Sequence, residues 1–576
     1  AALVDQVDDE LHLVDALEIG VFRLIACFHQ GLEAQSNKAV TFADVNVNYA
    51  VNLGRHNIQA TLRDQIEATN NNSYSITTTG SGAEAVSSPS SEGKIIKMNS
   101  AWAKRRTVGL VGSLNYVYDE RYALNVAARL NANSNTGRNN RWSALRPSVS
   151  AVWRINNEKF MKQAKWVDEL RLKASWGKSE RVPAASFVTG TFAYEDAYMD
   201  RPSIKPNQMQ LDNLRPEIVS SYNLGVEGAF LKNLIRFSFD YYNKETTDLI
   251  MENMAIQSTT GYSSVRRYNG GDVRNRGWEF SLSLNNIVKA GKFSLSLSNI
   301  NLSRNVNEIT SLPESMVAEK YTIGNGNYAR KIMEGNPIGS IYGYIFEGVY
   351  QNYDETLARD ASGELIRDVN GNTVPIRVGG TTRMHPGDAK YKDINHDGVI
   401  DERDIVYLGS SFPTITGGGS LVLKYKGWQL RTSLHFRLGH SIVNKVRHDL
   451  ENMNTGNNQS KNVLRRWRYE GDDTDVPRAL WGVNYNSMGS SKFVEDGSFL
   501  KIKDITLSYR IPQSFCSKLG ITNAMLSLTT YNLFTFTNYS GQDPEVGVGA
   551  GAYGLAIDSS RTPPSRRVAF NISFSF

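Results

Sequence analysis

The stretch Val568-Ala569-Phe570-Asn571-Ile572-Ser573-Phe574-Ser575-Phe576 alternates without a break. Val568, Phe570, Ile572, Phe574 and Phe576 fall on one side, and Ala569, Asn571, Ser573 and Ser575 on the other. Successive side chains of a β-strand point to opposite faces, so this period of two predicts a strand with one apolar face and one small, polar face. The same code recurs upstream. Phe293, Leu295 and Leu297 alternate with Ser294, Ser296 and Ser298, and Trp278, Phe280, Leu282 and Leu284 with Glu279, Ser281 and Ser283. Between those two runs lies Lys289-Ala290-Gly291-Lys292, a short polar turn that makes them a hairpin. Phe237, Phe239 and Tyr241 repeat the pattern, as do Ile505, Leu507 and Tyr509. About sixteen such strands are expected along the chain, most of them near the ten residues of a membrane-crossing strand.

The connections are uneven in a regular way. Val117 to Arg121, Leu231-Lys232-Asn233 and Lys424 to Gly427 are tight turns. Glu67 to Asn99, Gly177 to Pro216, Ile309 to Asn336, Tyr350 to Phe412 and Arg447 to Val494 are long and polar. Short turns on one rim and long loops on the other predict an all-β fold, a transmembrane antiparallel β-barrel. Aromatic residues at strand ends (Tyr116 and Tyr118, Tyr241 and Tyr242, Tyr425 and Trp428, Tyr531 and Phe534, Phe536 and Tyr539) are placed as interfacial girdles require.

Composition agrees. The 576 residues carry 10% aromatics, 27 of them Tyr, which excludes a disordered chain. The longest apolar stretch, Leu11 to Leu32, is interrupted by Asp15, Glu18 and Arg23, so no transmembrane helix is expected. Cys27 and Cys516, the two cysteines, exclude a disulfide scaffold and a Cys-based zinc site. A net charge of +6 is too small at this length to imply nucleic acid, and Lys104-Arg105-Arg106, Arg465-Arg466 and Arg566-Arg567 read as interface charges beside strands. Leu11, Val14, Leu17, Val21, Leu24, Ile25 and Phe28 recur at helical spacing, so residues 1–36 form an atypical N-terminal segment with an amphipathic helix reaching Gly31. Residues 37–576 are assigned to the barrel.

Several ordered phrases resemble the SusC/RagA family of TonB-dependent outer-membrane transporters of Bacteroidetes. They begin with Asp119-Glu120-Arg121-Tyr122-Ala123-Leu124, Gly137 to Trp142, Trp153-Arg154-Ile155 and Glu169 to Gly177. They continue through Leu214-Arg215-Pro216-Glu217, Tyr222 to Gly225, Asp240-Tyr241-Tyr242, Asn275 to Glu279, Gly343 to Tyr350 and Val494 to Lys501. The resemblance runs from about Trp102 to Phe576 and implies a barrel of about 22 strands closed by a plug domain. No plug is seen here, since residues 1–36 do not resemble one. The resemblance further implies outer-membrane import of an oligosaccharide or a peptide, a pull from TonB through that plug, and a SusD-like surface lipoprotein over the long loops. Other readings stay open: a passive porin-like or scaffold barrel, and a soluble calcium-dependent glycan-binding β protein.

One loop carries metal chemistry. In Asp393-Ile394-Asn395-His396-Asp397-Gly398-Val399-Ile400-Asp401-Glu402-Arg403-Asp404, oxygen donors fall at the first, third, fifth, ninth and twelfth positions, with Gly at the sixth. Calcium is therefore expected on Asp393, Asn395, Asp397, the Val399 carbonyl, Asp401 and Asp404. Asp in place of Glu at the last position shortens the reach. No enzyme is expected: the eight histidines are scattered, and neither a nucleophile elbow nor a phosphate-cradling loop occurs. Gly417-Gly418-Gly419 reads as a bend, with no ligand. The terminal strand is expected to act as an assembly signal, with Phe570, Phe574 and Phe576 facing outer-membrane lipid.

Overall fold

The computed structural model describes residues 30–79, 94–183, 188–198, 201–262, 264–313, 328–329, 331–549 and 554–576. The expected helix lies outside these residues up to its end, where Gln30 and Gly31 already belong to the first strand. Among the described residues no helix is long and apolar enough to cross a membrane, which says nothing of strands.

The dominant element is one sheet of fifteen strands, each hydrogen-bonded to the next in chain order. The first five are β1 (Gln30–Leu53), β2 (His56–Thr79), β3 (Lys94–Tyr118), β4 (Tyr122–Asn133) and β5 (Arg146–Arg154). Then come β6 (Val167–Arg181), β7 (Glu217–Phe230), β8 (Ile235–Thr247), β9 (Asp272–Ala290) and β10 (Phe293–Ser311). The last are β11 (Ile415–Tyr425), β12 (Trp428–Leu438), β13 (Phe499–Arg510), β14 (Asn523–Thr537) and β15 (Arg567–Ser575). Fifteen strands among the described residues agree with the expected number of about sixteen; Gly343 to Tyr350 belongs to the loops. There Ser340–Gly343 pairs with Val406–Ser410, and Phe346–Val349 with Ala389–Tyr391. The two long loops expected on either side of it are one connection, 312–414. The loop expected at Glu67 to Asn99 is largely strand, since β2 runs to Thr79 and β3 starts at Lys94.

The chain divides into two units. One holds residues 1–42 and 67–105, where Tyr74 donates to Gln35, Arg105 pairs with Glu67 at 2.5 Å and the Lys104 ammonium stands 4.1 Å from the Trp102 ring. The other, much the larger, holds residues 43–66 and 106–576.

Within this larger unit the connections alternate between one set that never exceeds twelve residues and another that never falls below twelve. Tight turns join β3 to β4, β7 to β8, β9 to β10 and β11 to β12, and residues 155–166 and 511–522 join β5 to β6 and β13 to β14. The tight turns need left-handed backbone, supplied at Asp119 and Glu120 (φ 48° and 54°) and at Leu231, Lys232 and Asn233 (φ 55°, 59° and 61°). The long connections are 134–145, 182–216, 248–271, 312–414, 439–498 and 538–566.

The register makes the alternation continuous across strands. Tyr116, Leu124, Ala151, Ala174, Leu224, Tyr241 and Trp278 stand side by side from β3 to β9 on one face. Farther along, Leu430, Leu507, Leu528 and Phe570 do the same from β12 to β15. Three strand-end aromatics depart from the girdle, one of them Tyr531, which stands opposite Asp504 and Arg567 on the polar face. Tyr242 takes the opposite, polar face and donates to Asn305 at 3.0 Å, and Tyr539 is buried in the loops, where it donates to Asp558 at 2.7 Å. The apolar register changes phase at bulges: Asn299 (φ 53°) separates Leu297 from Ile300, and Asn532 (φ 54°) stands opposite the irregularity between Ile502 and Asp504. Gly417 lies in β11 rather than at a bend. A Cβ there would meet the Asn301 carbonyl at 2.5 Å and the Phe436 ring at 2.6 Å, so the glycine permits close approach of backbone and ring.

Three long connections fold together. Ser441–Asn444 pairs antiparallel with Val494–Asp496 and parallel with Ile557–Asp558. Tyr342, Tyr344, Ala389, Tyr391, Ile400 and Met488 form a buried core of their own. Within 312–414, three hairpin fingers surround a closed ring of backbone hydrogen bonds. Ala358 donates to Val374 (2.8 Å), Val374 to Ile366 (2.9 Å) and Ile366 back to Ala358 (3.0 Å). The first two fingers repeat one pattern, Arg359-Asp360-Ala361-Ser362-Gly363 and Arg367-Asp368-Val369-Asn370-Gly371. In each the Asp caps its own turn and the Arg donates to the Gly carbonyl.

Candidate functional site

The polar face of the sheet carries charge where a strand code of Ser and Asn would suffice. Lys173 on β6 reaches Glu227 on β7 (2.6 Å) and Asp240 on β8 (3.2 Å), three residues that pattern alone places on the same side. Gly225 makes room for them, since a Cβ there would stand 2.2 Å from the Asp240 carboxylate. Arg171 lies 4.0 Å from Glu227 and pairs with Glu169.

A second cluster joins wall to loop. The bulge in β13 lets Lys501 and Lys503 both reach Glu545, at 3.0 and 2.6 Å, and Lys501 also reaches Asp543 at 3.3 Å. Connection 538–566 is thereby tied down onto the polar face. Burial alone would raise the Glu545 carboxyl, but Lys503 and Lys501 overcome it and hold the group down to about 2. The loop core is locked in a comparable way. Asp388 is wholly buried and accepts from Arg478 Nε (2.7 Å) and Nη2 (3.1 Å), from Asn486 and from the His385 amide. Lys492 is half-buried against the rings of Phe346 and Phe493 and donates to the Asp475 carbonyl; desolvation of its ammonium pushes it down to about 8, against the pull of Glu451 and Asp475.

The expected calcium residues form one compact loop. Asp393 accepts from the amides of Asp397 (3.3 Å) and Gly398 (2.7 Å), Asn395 from Asp397, and Asp397 from Val399. Asp404 accepts from Ile394 and Asp401, closing the loop, and Asp401 caps the following turn. Gly398 at the sixth position has φ 80°, and a Cβ would meet Ala358 at 2.7 Å, so this residue is required by both turn and packing. A cation already stands among the carboxylates: Arg403 lies 2.6 Å from Asp397 and 2.7 Å from Asp401. That guanidinium holds Asp401 below the ordinary carboxylate range, whereas burial lifts Asp404 above it. Among the described residues no group of three or more His, Cys, Asp or Glu stands in metal-holding geometry.

Period-two reading finds which face Lys173, Glu227 and Asp240 occupy. Counted from Ile505 and Leu507 it would put Lys501 on the apolar face, a count that the irregularity between Ile502 and Asp504 reverses. It cannot find Asp543, Glu545 or Arg478, whose partners lie tens of residues away across loops that carry no period.

A family model described as TonB dependent receptor-like, beta-barrel, matches residues 28–393. The TonB-dependent receptor P26 of Formosa agariphila is 30% identical over 80% of this chain and 46% of its own length. The TonB-dependent receptor SusC of Bacteroides thetaiotaomicron is 24% identical over 92% of this chain and 50% of its own. The chain thus spans about half the length of the curated relatives it matches. A solved RagAB peptide transporter superposes with a TM-score of 0.76 at 21% identity, covering 95% of this chain and 56% of the solved one, which shows the same fold.

Proposed function

The chain belongs to the TonB-dependent receptor-like β-barrel family, and from that premise we propose that it forms the wall of a SusC/RagA-type importer carrying oligosaccharides or peptides across the outer membrane. Its place in that membrane sets aside the soluble glycan-binding alternative. What supports import is the division of the sheet's faces. One side is a band of Leu, Phe, Tyr and Trp, and the other carries the ion pairs of Lys173 and Lys501. Lipid solvates the first kind of face and water the second, so such a sheet suits the boundary between them.

The folded connections 312–414, 439–498 and 538–566 offer a preformed polar surface for a SusD-like surface lipoprotein. TonB would act on the wall through a plug domain. Pull-down from detergent-solubilised outer membranes should recover such a lipoprotein, and deletion of the gene should abolish uptake of one class of glycan or peptide. Purification without a partner, together with unchanged uptake of every solute tested, would leave a passive pore or a scaffold in its place.

We also propose calcium at Asp393, Asn395, Asp397, Val399, Asp401 and Asp404, with Arg403 displaced outward when the ion enters. Each carboxylate oxygen that accepts one amide keeps a further lone pair for a hard cation. Elemental analysis of the purified protein should find calcium that is lost in Asp393→Ala and Asp397→Ala; equal content in all three would remove the site.

A further inference from the structure

The apolar face is not uniformly bulky. In the row that runs Tyr116, Leu124, Ala151, Ala174, Leu224 and Tyr241, two adjacent strands both place alanine, and Ala151 is paired directly with Ala174. Between larger neighbours the two methyl groups leave a depression of about 770 Å³, walled on one side by Tyr122 and Trp153 and on the other by Leu224 and Tyr241. That volume lies within the range of ordinary ligand sites.

The wall of the depression is fixed in advance. Tyr122 and Trp153 stack with centroids 6.4 Å apart and planes 14° from parallel. Both polar tips donate to one oxygen, Glu158 Oε1, at 2.6 Å from Tyr122 Oη and 3.1 Å from Trp153 Nε1. Glu158 is buried and paired with Arg121 at 3.3 Å. With their tips anchored, the rings cannot fall inward to fill the space over Ala151 and Ala174. The depression is continuous with the lipid-facing band, so hydrocarbon is the solvent that meets it.

The adjoining short-rim segment supplies a second feature. Residues 155–166 expose Lys159, Lys162 and Lys165 together with the rings of Phe160 and Trp166. Cations beside aromatic anchors at a membrane interface suit an anionic headgroup. We propose that this depression is a binding site for one anionic phospholipid, its acyl chains over Ala151 and Ala174 and its phosphate at the lysines of 155–166. The site rests on the outer-membrane reading of the apolar face and is independent of what the protein transports.

The test uses the full chain in mild detergent, with phosphatidylglycerol and phosphatidylcholine added separately and bound lipid counted by native mass spectrometry. Ala151→Leu with Ala174→Leu fills the depression with side chains the band already uses. It should weaken phosphatidylglycerol binding about ten-fold and remove one retained lipid per chain, while heat-modifiable migration shows that the wall still forms. Lys159→Gln, Lys162→Gln and Lys165→Gln together leave the depression intact and should erase the preference for phosphatidylglycerol over phosphatidylcholine. Undiminished lipid retention in a folded filled variant overturns the site. So does a change of oligomeric state without a change in bound lipid, because the depression would then seat a second copy of the chain.

Discussion

The strand wall and the folded connections use aromatic residues in opposite ways. Phe570 is 64% exposed, Phe574 51% and Trp428 48%, whereas Tyr342, Tyr350 and Tyr391 are buried. In the connections, water is the solvent, and burial follows from packing side chain against side chain; the Tyr342 and Tyr391 hydroxyls find partners, whereas that of Tyr350 is buried without one among the described residues. Tyr391 donates to the Tyr485 carbonyl and accepts from the Met488 amide. In the wall the same chemistry is turned outward, because the hydrocarbon of the membrane takes the place of a core. Polar groups are reversed as well. A buried carboxylate in the connections, Asp388, needs a dedicated guanidinium, while Glu227 and Asp240 share one lysine on a face open to water. Exposure in this molecule therefore reports the adjacent solvent rather than the quality of packing.

The contrast can be broken from the loop side first. Arg478→Ala leaves Asp388 buried and uncompensated and should cost the connections about 3–5 kcal/mol. Limited proteolysis should then cut 439–498 while the wall keeps its heat-modifiable migration. From the wall side, Leu507→Arg puts a charge in the lipid-facing band at an expected cost of about 2–4 kcal/mol. Gln429→Arg, one residue off that face, should stay within about 0.5 kcal/mol. Refolding into vesicles under urea titration measures both; equal costs would show that the two faces meet the same solvent. The finest test is pH. Lys492 has its folded value lowered to about 8 from 10.5, so below pH 8 it is charged in both states and the burial penalty is fully present. From pH 8 to 10.5 the unfolded chain holds more proton, and stability should rise by roughly 3 kcal/mol at most. Lys492→Met should remove that rise, read from hydrogen exchange across 439–498.

Much of the wall was legible in the sequence, because a single period decides both secondary structure and face. Phe293, Leu295 and Leu297 announce β10, and Phe570 to Phe576 announce β15. The reading falters where the period slips. Ile300 and Leu302 belong to the same face as Leu297, yet the intervening Asn299 reverses the count; a lone Asn inside an apolar alternation was the available signal, since Asn accepts left-handed backbone. The expected number of about sixteen strands agrees with the fifteen found among the described residues, and Gly343 to Tyr350 pairs within the loops. At the acidic loop the sequence located residues that do fold together, Asp393, Asn395, Asp397, Gly398, Asp401 and Asp404, while calcium there remains a proposal. Arg403, inside the same motif, escaped notice because a calcium pattern counts oxygens and ignores resident cations. Asp388 and Arg478 were beyond reach, since nothing local marks residues that meet across ninety positions.

The ring of Ala358, Ile366 and Val374 separates what holds the loop together from what it presents. All three of its hydrogen bonds run between backbone atoms at the finger bases, and each of the first two tips closes on its own Asp and Arg. A tip can then change without any message reaching the base. Val369, fully exposed between Asp368 and Asn370, is such a position. A foreign epitope spliced after it should be displayed at the cell surface, recognised by its antibody on intact cells, while the rest of the molecule folds as before. On this geometry the two tips are positions where sequence can change while the backbone ring beneath them keeps its hydrogen bonds.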